Sequence, residues 1–328
     1  MIGAARESVW LRGDPRRTLA PETLARILEA ALPGSCATEI EAFPEGRRNA
    51  NFKLRISTSA VPLVLRLYEH NPSICQKEVD LLGLVREQAP VPEVVYAAPA
   101  GLDEVPPFVL YEYIEGITFR ELKRLGGADA LAEAAFSAGQ ALAAIGAREF
   151  EKAGWLGPGP AVGAPLLEGA DPMPRFLDLC LANPRSQERL EESLRARIHD
   201  FAWRHAAEYA VLEREHRLVH CDYNRRNVLV RLINGKWGVA AILDWEFAVS
   251  ATPLIDMGNF LRYESAACPK VEPHFSAGYV DAGGKLPEDW RAVSRLVDLT
   301  AICEGLTGRF IPDDAVAELV EIARATVA

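Results

Sequence analysis

The chain has 328 residues, 49% apolar and 25% charged, which is ordinary globular composition at a length that suits two packed lobes better than one core. Its net charge of -10 argues against a nucleic-acid partner, because phosphate neutralisation needs clustered Lys and Arg; it suits a cationic small molecule, or serves solubility alone. No apolar run approaches the ~20 residues that span a bilayer.

Pro21 to Leu32 reads as a helix, with proline at its start and Leu24, Ile27 and Leu28 on one face. Short strands follow near Thr38–Phe43, Asn51–Ile56 and Val61–Leu67, the first two parted by a turn at Pro44-Glu45-Gly46. Ser73 to Glu87 has the broad apolar face of a packed helix, and strands return at Glu93–Ala97 and Phe108–Tyr113. The first ~115 residues therefore predict a small antiparallel sheet with one packed helix. Beyond them the pattern turns helical. Thr118 and Glu121 have capping-box spacing, Ala130 to Ile145 steps by three and four, and Gly157 to Gly169 reads as a surface loop. Gln187 to Glu215 reads as one long charged helix, and residues 288–306 and 313–327 as two closing helices.

The six cysteines, Cys36, Cys75, Cys180, Cys221, Cys268 and Cys303, form no C-x-x-C pair. The expectation is reduced thiols, with neither zinc nor a disulfide framework. With no leader pattern in residues 1–17, the expected compartment is the cytoplasm.

One β-rich island, Arg217 to Phe247, lies among the helices. Asn234-Gly235 between two apolar runs predicts a hairpin of Val228–Ile233 with Trp237–Leu243. Its open end carries Asp222, Asn227 and Asp244. Phosphoryl transfer needs a carboxylate to orient the attacking hydroxyl and hard oxygen ligands to hold Mg²⁺ on the phosphates. H-x-D-x-x-x-x-N, then a hairpin, then an apolar-flanked Asp can supply both.

That combination resembles the protein-kinase catalytic loop with its metal-binding Asp. With I-L-D-W-E at residues 242–246 and the run from Thr252 to Leu261, it is more similar still to the aminoglycoside phosphotransferase and choline kinase families. The likeness runs from about Thr38 to Arg262. It implies an α+β, bilobal, protein-kinase-like fold. A nucleotide-covering lobe would be residues 1–113, and a larger helical lobe for catalysis and the acceptor residues 114–328. It implies ATP and Mg²⁺, with Asp222 catalytic, Asn227 and Asp244 on the metal, His220 structural and Asp256 a buttress of the loop. Asn49 and Asn51 would touch phosphate, though Glu45–Phe52 reads equally as an ordinary hairpin turn. Arg66 stands where protein kinases have Lys, with Glu78 as its partner; the plain alternative is an exposed strand Arg and a solvated helix Glu. Adenine would hydrogen-bond backbone groups of Glu112 and Ile114.

The favoured acceptor is a small hydroxylated cation, an aminoglycoside or similar antibiotic, with choline, homoserine and sugars open as metabolic alternatives. A catalytically silent kinase-like module is the remaining one. Glu246, Glu264, Asp313 and Asp314 are candidate acids for a cation site. Arg225 and Arg226 read as solvated, with phosphate contact the lesser alternative. No G-x-x-x-x-G-K-[ST] occurs, which argues against a P-loop enzyme, and His216 with His220 lacks the context of a zinc pair. Asp244 runs almost directly into Asp256, leaving no room for an activation loop.

Overall fold

The computed structural model describes residues 18–43, 49–69, 71–264, 270–309 and 311–328. The reading of residues 1–17, the turn at residues 44–46 and Cys268 lie outside them. The chain opens with α1 (Pro21–Ala31), β1 (Ala37–Ala42), β2 (Ala50–Ile56), β3 (Leu63–Leu67), α2 (Ser73–Val85), β4 (Val94–Ala98) and β5 (Phe108–Glu112). The strands form one antiparallel sheet in the order β1-β2-β3-β5-β4. Alternation sorts its faces. Leu63, Leu65, Leu67, Phe108 and Leu110 join a core with Leu24, Ile27 and Leu28 of α1. Val109 and Tyr111 face the other way, into a second core with Tyr68 and with Cys75, Leu81, Leu82 and Val85 of α2. The expectation of one packed helix is therefore corrected to two, one on each face. Burial on both faces is why β3 and β5 read as nearly unbroken apolar runs.

The second part begins with β6 (Ile117–Thr118), α3 (Phe119–Leu125), α4 (Ala128–Gly146) and β7 (Gly154–Trp155). The predicted capping box is present: Glu121 N–H donates to Thr118 Oγ1 at 3.1 Å, and Thr118 N–H to Glu121 Oε2 at 2.9 Å. The predicted helix 187–215 is not continuous. It is α6 (Pro184–Arg189), α7 (Glu192–Arg204) and α8 (Val211–Arg214), preceded by an unforeseen α5 (Pro172–Ala182). Leu190 leaves helical geometry at φ -110°, ψ 128° so that its side chain reaches the core, and its burial outweighs helical continuity. The two prolines at residues 172 and 174, in the first turn of α5, were the legible signal for that helix.

Then follow β8 (Arg217–Val219), β9 (Val228–Ile233), β10 (Lys236–Ile242), β11 (Val249–Ala251), α9 (Leu254–Leu261), α10 (Glu272–Asp281), α11 (Trp290–Leu306) and α12 (Asp313–Thr326). The hairpin β9–β10 has Lys236 opposite Ile233, with Asn234 at φ 52° and Gly235 at φ 82°, the positive values its turn demands. It adds β6 to make one three-stranded sheet, and β7, β11 and β8 make another. α4 crosses α10 so closely that a Cβ on Gly139 would lie 1.9 Å from the Phe275 carbonyl oxygen, which is why glycine stands there.

Candidate active site

The hairpin sets the site. β8 leads into the loop 220–227, β9 and β10 return the chain, and Leu243 N–H donates to the Asn227 carbonyl at 2.8 Å. The loop is anchored from below by α9. Both oxygens of Asp256 accept from its backbone, from His220 N–H at 2.7 Å and Cys221 N–H at 2.8 Å. These bonds hold Cys221 at φ 64°, a left-handed conformation that a side chain resists. Burial pushes the Asp256 carboxyl up to about 7 against the pull of those amides.

His220 is structural, as its neighbours show. Its Nε2 bonds the Leu243 carbonyl at 2.9 Å and its Nδ1 accepts from Asp222 N–H at 3.2 Å. Both bonds suit a neutral ring, and burial lowers the imidazole to about 4. The ring lies 4.6 Å from that of Trp245 and is fully buried.

The loop then presents Asp222. Its Oδ1 accepts from Asn224 Nδ2 at 2.7 Å and its Oδ2 from Asn227 Nδ2 at 2.8 Å. Burial, and then the negative charge of Asp244, raise its carboxyl to about 6. Asn227 Nδ2 also donates to the Asp222 carbonyl at 3.0 Å. With its NH₂ committed to Asp222, the amide turns its oxygen elsewhere. Asp244, at φ 70° just beyond β10, places a carboxylate on the same side of the hairpin.

Arg66 arrives from β3. Its Nη2 donates to Asp244 Oδ1 at 2.5 Å, its Nε lies 3.5 Å from Glu78, and Glu246 is 4.0 Å away. Asn49, with its amide oxygen turned towards the guanidinium, accepts from Nη2 at 2.8 Å and Nε at 3.3 Å. Burial opposes the Arg66 charge, but Asp244 and Glu78 outweigh it and raise the guanidinium well above its ordinary value. Burial also raises Glu78, against the pull of Arg66. Glu78 accepts from Tyr68 Oη at 2.6 Å and from Trp245 N–H at 3.3 Å, and Lys77 Nζ donates to the Glu246 carbonyl at 2.9 Å. The reading of Arg66 and Glu78 as a solvated pair is thereby excluded.

The structure thus gathers Asp222, Asn227, Asp244, Arg66, Glu78 and Asn49. Asn51 is in register with Arg66 across β2 and β3 and shares its face of the sheet. Glu112 and Ile114 stand apart, at and just beyond the end of β5, and Glu112 N–H is already given to the Glu93 carbonyl at 3.0 Å.

Some expectations are corrected. Arg225 is not solvated: it is buried, with Nε on the Phe260 carbonyl at 3.1 Å and Nη2 on Glu264 at 3.2 Å. Burial lowers its guanidinium despite that partner. The four candidate acids do not assemble. Glu246 and Glu264 belong to separate networks around Arg66 and Arg225, while Asp313 and Asp314 are exposed in the first turn of α12, where the helix end favours negative charge. Sequence reasoning missed Asn224, which holds Asp222 and accepts from Arg226 N–H at 2.8 Å; an Asn two residues after the Asp was the available sign of such a turn. It also missed Lys77 and Tyr68, for which no local signal exists.

The donor set suits a hard cation. The Asp244 carboxylate, whose charge is felt at Asp222, and the Asn227 amide, with its oxygen free of Asp222, are oxygen ligands of the kind Mg²⁺ takes. Among the described residues no three of His, Cys, Asp and Glu come together as a metal cage.

A five-stranded sheet against a helical unit, with acid, amide, acid and arginine meeting where they face, is the architecture of ATP-dependent small-molecule kinases. The chain belongs to the phosphotransferase enzyme family, whose model matches residues 39–296. No curated protein sequence matches it. Among solved structures, the GDP and kanamycin complex of APH(2")-IIia is 19% identical at TM-score 0.68, covering 92% of this chain and 97% of that one. A thermostable mutant of the aminoglycoside phosphotransferase APH(4)-Ia, in ternary complex with AMP-PNP and hygromycin B, is 18% identical at TM-score 0.63, covering 92% and 96%. A putative fructosamine-3-kinase from Thermobifida fusca YX-ER1 is 17% identical at TM-score 0.62, covering 94% and 99%. At such identities the likeness is one of fold.

Proposed function

We propose that this enzyme moves the γ-phosphoryl group of ATP to a hydroxyl of a small cationic acceptor, an aminoglycoside or a related antibiotic, in the cytoplasm. The observation that carries the reading is the convergence of Asp222, Asn227 and Asp244 at the open end of one hairpin, with Arg66 on the Asp244 carboxylate. In this scheme residues 1–113 cover the nucleotide and residues 114–328 carry the catalytic loop and the acceptor. Asp222 orients the acceptor hydroxyl and takes its proton as the oxygen–phosphorus bond forms and the β–γ bridge breaks. Asn227, through its amide oxygen, and Asp244 would hold Mg²⁺, which when bound neutralises charge on the β- and γ-phosphates. Arg66 pairs with phosphate oxygens, for which a guanidinium has a bidentate geometry, and Asn49 and Asn51 lie beside it. With its N–H engaged, Glu112 would meet adenine through its carbonyl and Ile114 through its N–H.

The acceptor rests on the net charge of -10 and on the kanamycin and hygromycin B complexes of structural neighbours. A second reading, a metabolic kinase of a sugar or an amino alcohol, draws on the fructosamine-3-kinase neighbour. A panel of aminoglycosides, fructosamines, choline, homoserine and simple sugars, assayed with the purified enzyme, Mg²⁺ and labelled ATP, separates them. Labelling confined to the non-cationic sugars would sink the first reading, and a chain that turns over ATP with none would favour a silent module.

Two further outcomes are expected. Asp222 must be ionised to act as a base, and its carboxyl is raised to about 6. Acceptor kcat/KM, measured at low Mg²⁺, should be flat from pH 7 to 8 and fall about tenfold per unit below pH 6. Saturating Mg²⁺ should move that limb to lower pH, since a neighbouring cation favours the anion. A profile flat down to pH 5 at low Mg²⁺ would remove the base role. Asp256→Asn puts an NH₂ against a buried backbone N–H and should cost about 1–3 kcal/mol in urea unfolding. Unchanged stability would mean that Asp256 does not brace the loop.

A further inference from the structure

Lys53 and Tyr113 meet across the face of the first sheet that carries Arg66. Lys53 belongs to β2, Tyr113 follows β5, and β3 lies between those strands. Lys53 is in register with Val64, as Asn51 is with Arg66. Residues two apart on a strand share a face, so Asn51, Lys53, Val64 and Arg66 all project away from α1, to the side where Asp244 lies. Val64 is ~7 Å along β3 from Arg66, at two residues' rise, in the direction of Glu112 and Ile114. Tyr113 N–H is tied to the Pro62 carbonyl at 3.0 Å, which fixes this end. Lys53 Nζ lies 3.8 Å from the centre of the Tyr113 ring. To reach it from β2, the lysine stem must pass over β3 in the neighbourhood of Val64. It is thereby spread over the surface on which a base held at residues 112–114 would stack.

An ammonium is drawn to the face of an aromatic ring, and a purine presents such a face too. We propose that Lys53 is the residue that covers the nucleobase of a purine nucleoside triphosphate. Its stem roofs the base, and its ammonium passes from the Tyr113 ring to the face of the purine. The inference rests on the base lying at Glu112 and Ile114, and it adds a side-chain contact to a subsite otherwise built from backbone groups.

The test uses calorimetric titration of the full chain with two probes in Mg²⁺: ATP, and inorganic tripolyphosphate, which has no base. Lys53→Met keeps the stem and loses the charge. It should weaken ATP about three- to tenfold and leave tripolyphosphate within about twofold. Lys53→Arg, which keeps the cation, should retain wild-type ATP affinity and shows that the position tolerates substitution if the methionine variant unfolds. Tyr113→Leu removes the resting partner and should tighten ATP about two- to threefold. Equal weakening of both probes by Lys53→Met would place Lys53 on the phosphates and overturn the inference. So would undiminished ATP binding in that variant, loss of ATP affinity in Lys53→Arg, or weaker ATP binding in Tyr113→Leu. A wild-type chain that binds tripolyphosphate but not ATP would refute the base subsite alone; one that binds neither would refute the nucleotide reading itself.

Discussion

Replacing Asp222 with alanine should lower kcat by about 10²–10⁴-fold, the range for a positioned general base, while the affinity for Mg-ATP stays within about twofold. The two halves of this expectation come from different parts of the geometry. Asp222 is bonded through Asn224 and Asn227, and it makes no contact with Arg66. Its loss therefore strips the loop of the group that meets the acceptor and leaves the cation that meets phosphate in place. Asn227 is freed of one partner but keeps its bond to the residue-222 carbonyl, which does not depend on the side chain. Single-turnover rates with labelled ATP and the best acceptor from the panel, beside a calorimetric titration of Mg-ATP, separate turnover from binding. Wild-type turnover in this variant would end the assignment of Asp222 as catalytic. A collapse of nucleotide affinity would make it part of the metal site.

Asp244→Ala should have the opposite signature. Groups that only orient a metal ligand are worth about 10–100-fold in metal affinity, so removing a ligand should weaken Mg-ATP by at least that much. ATP without Mg²⁺ should bind as well as to the wild type or better. The reason is the 2.5 Å bond between Arg66 and Asp244. In the free enzyme the guanidinium and the carboxylate neutralise one another, so nucleotide binding must redirect both, the carboxylate towards the cation and the guanidinium towards phosphate. Without Asp244, Arg66 retains Glu78 and Asn49 and is released from its closest anion. Titrations with and without Mg²⁺ read this directly. Equal Mg-ATP affinity in variant and wild type would exclude Asp244 from the metal site.

The loop 220–227 was legible because its determinants are local. Asn234-Gly235 prefers the positive φ values that it adopts, so the hairpin that brings residues 222, 227 and 244 together follows from a few neighbouring side chains. The helices of the first lobe follow likewise from a period of 3.6, and its strands from short apolar runs bounded by turn residues. The helices of residues 172–214 were misread for the converse reason: their breaks are set by which leucine reaches a distant core, and Leu190 abandons the helix to do so.

By itself, then, the sequence determined the lobed α+β plan, the hairpin and the identity of its acids. Short-range backbone preference and hydrophobic period suffice for the plan and the hairpin; the acids stand out through the H-x-D-x-x-x-x-N spacing and its resemblance to known kinases. Only the tertiary structure decided which partner each charged group takes. Arg66 meets Asp244 from 178 positions away, Lys77 meets the backbone of Glu246 from 169, and Arg225 sinks onto Phe260 and Glu264 instead of standing in solvent. A buried ion pair depends on how two surfaces pack and exclude water. That is a property of the assembled core, and no run of neighbouring residues encodes it.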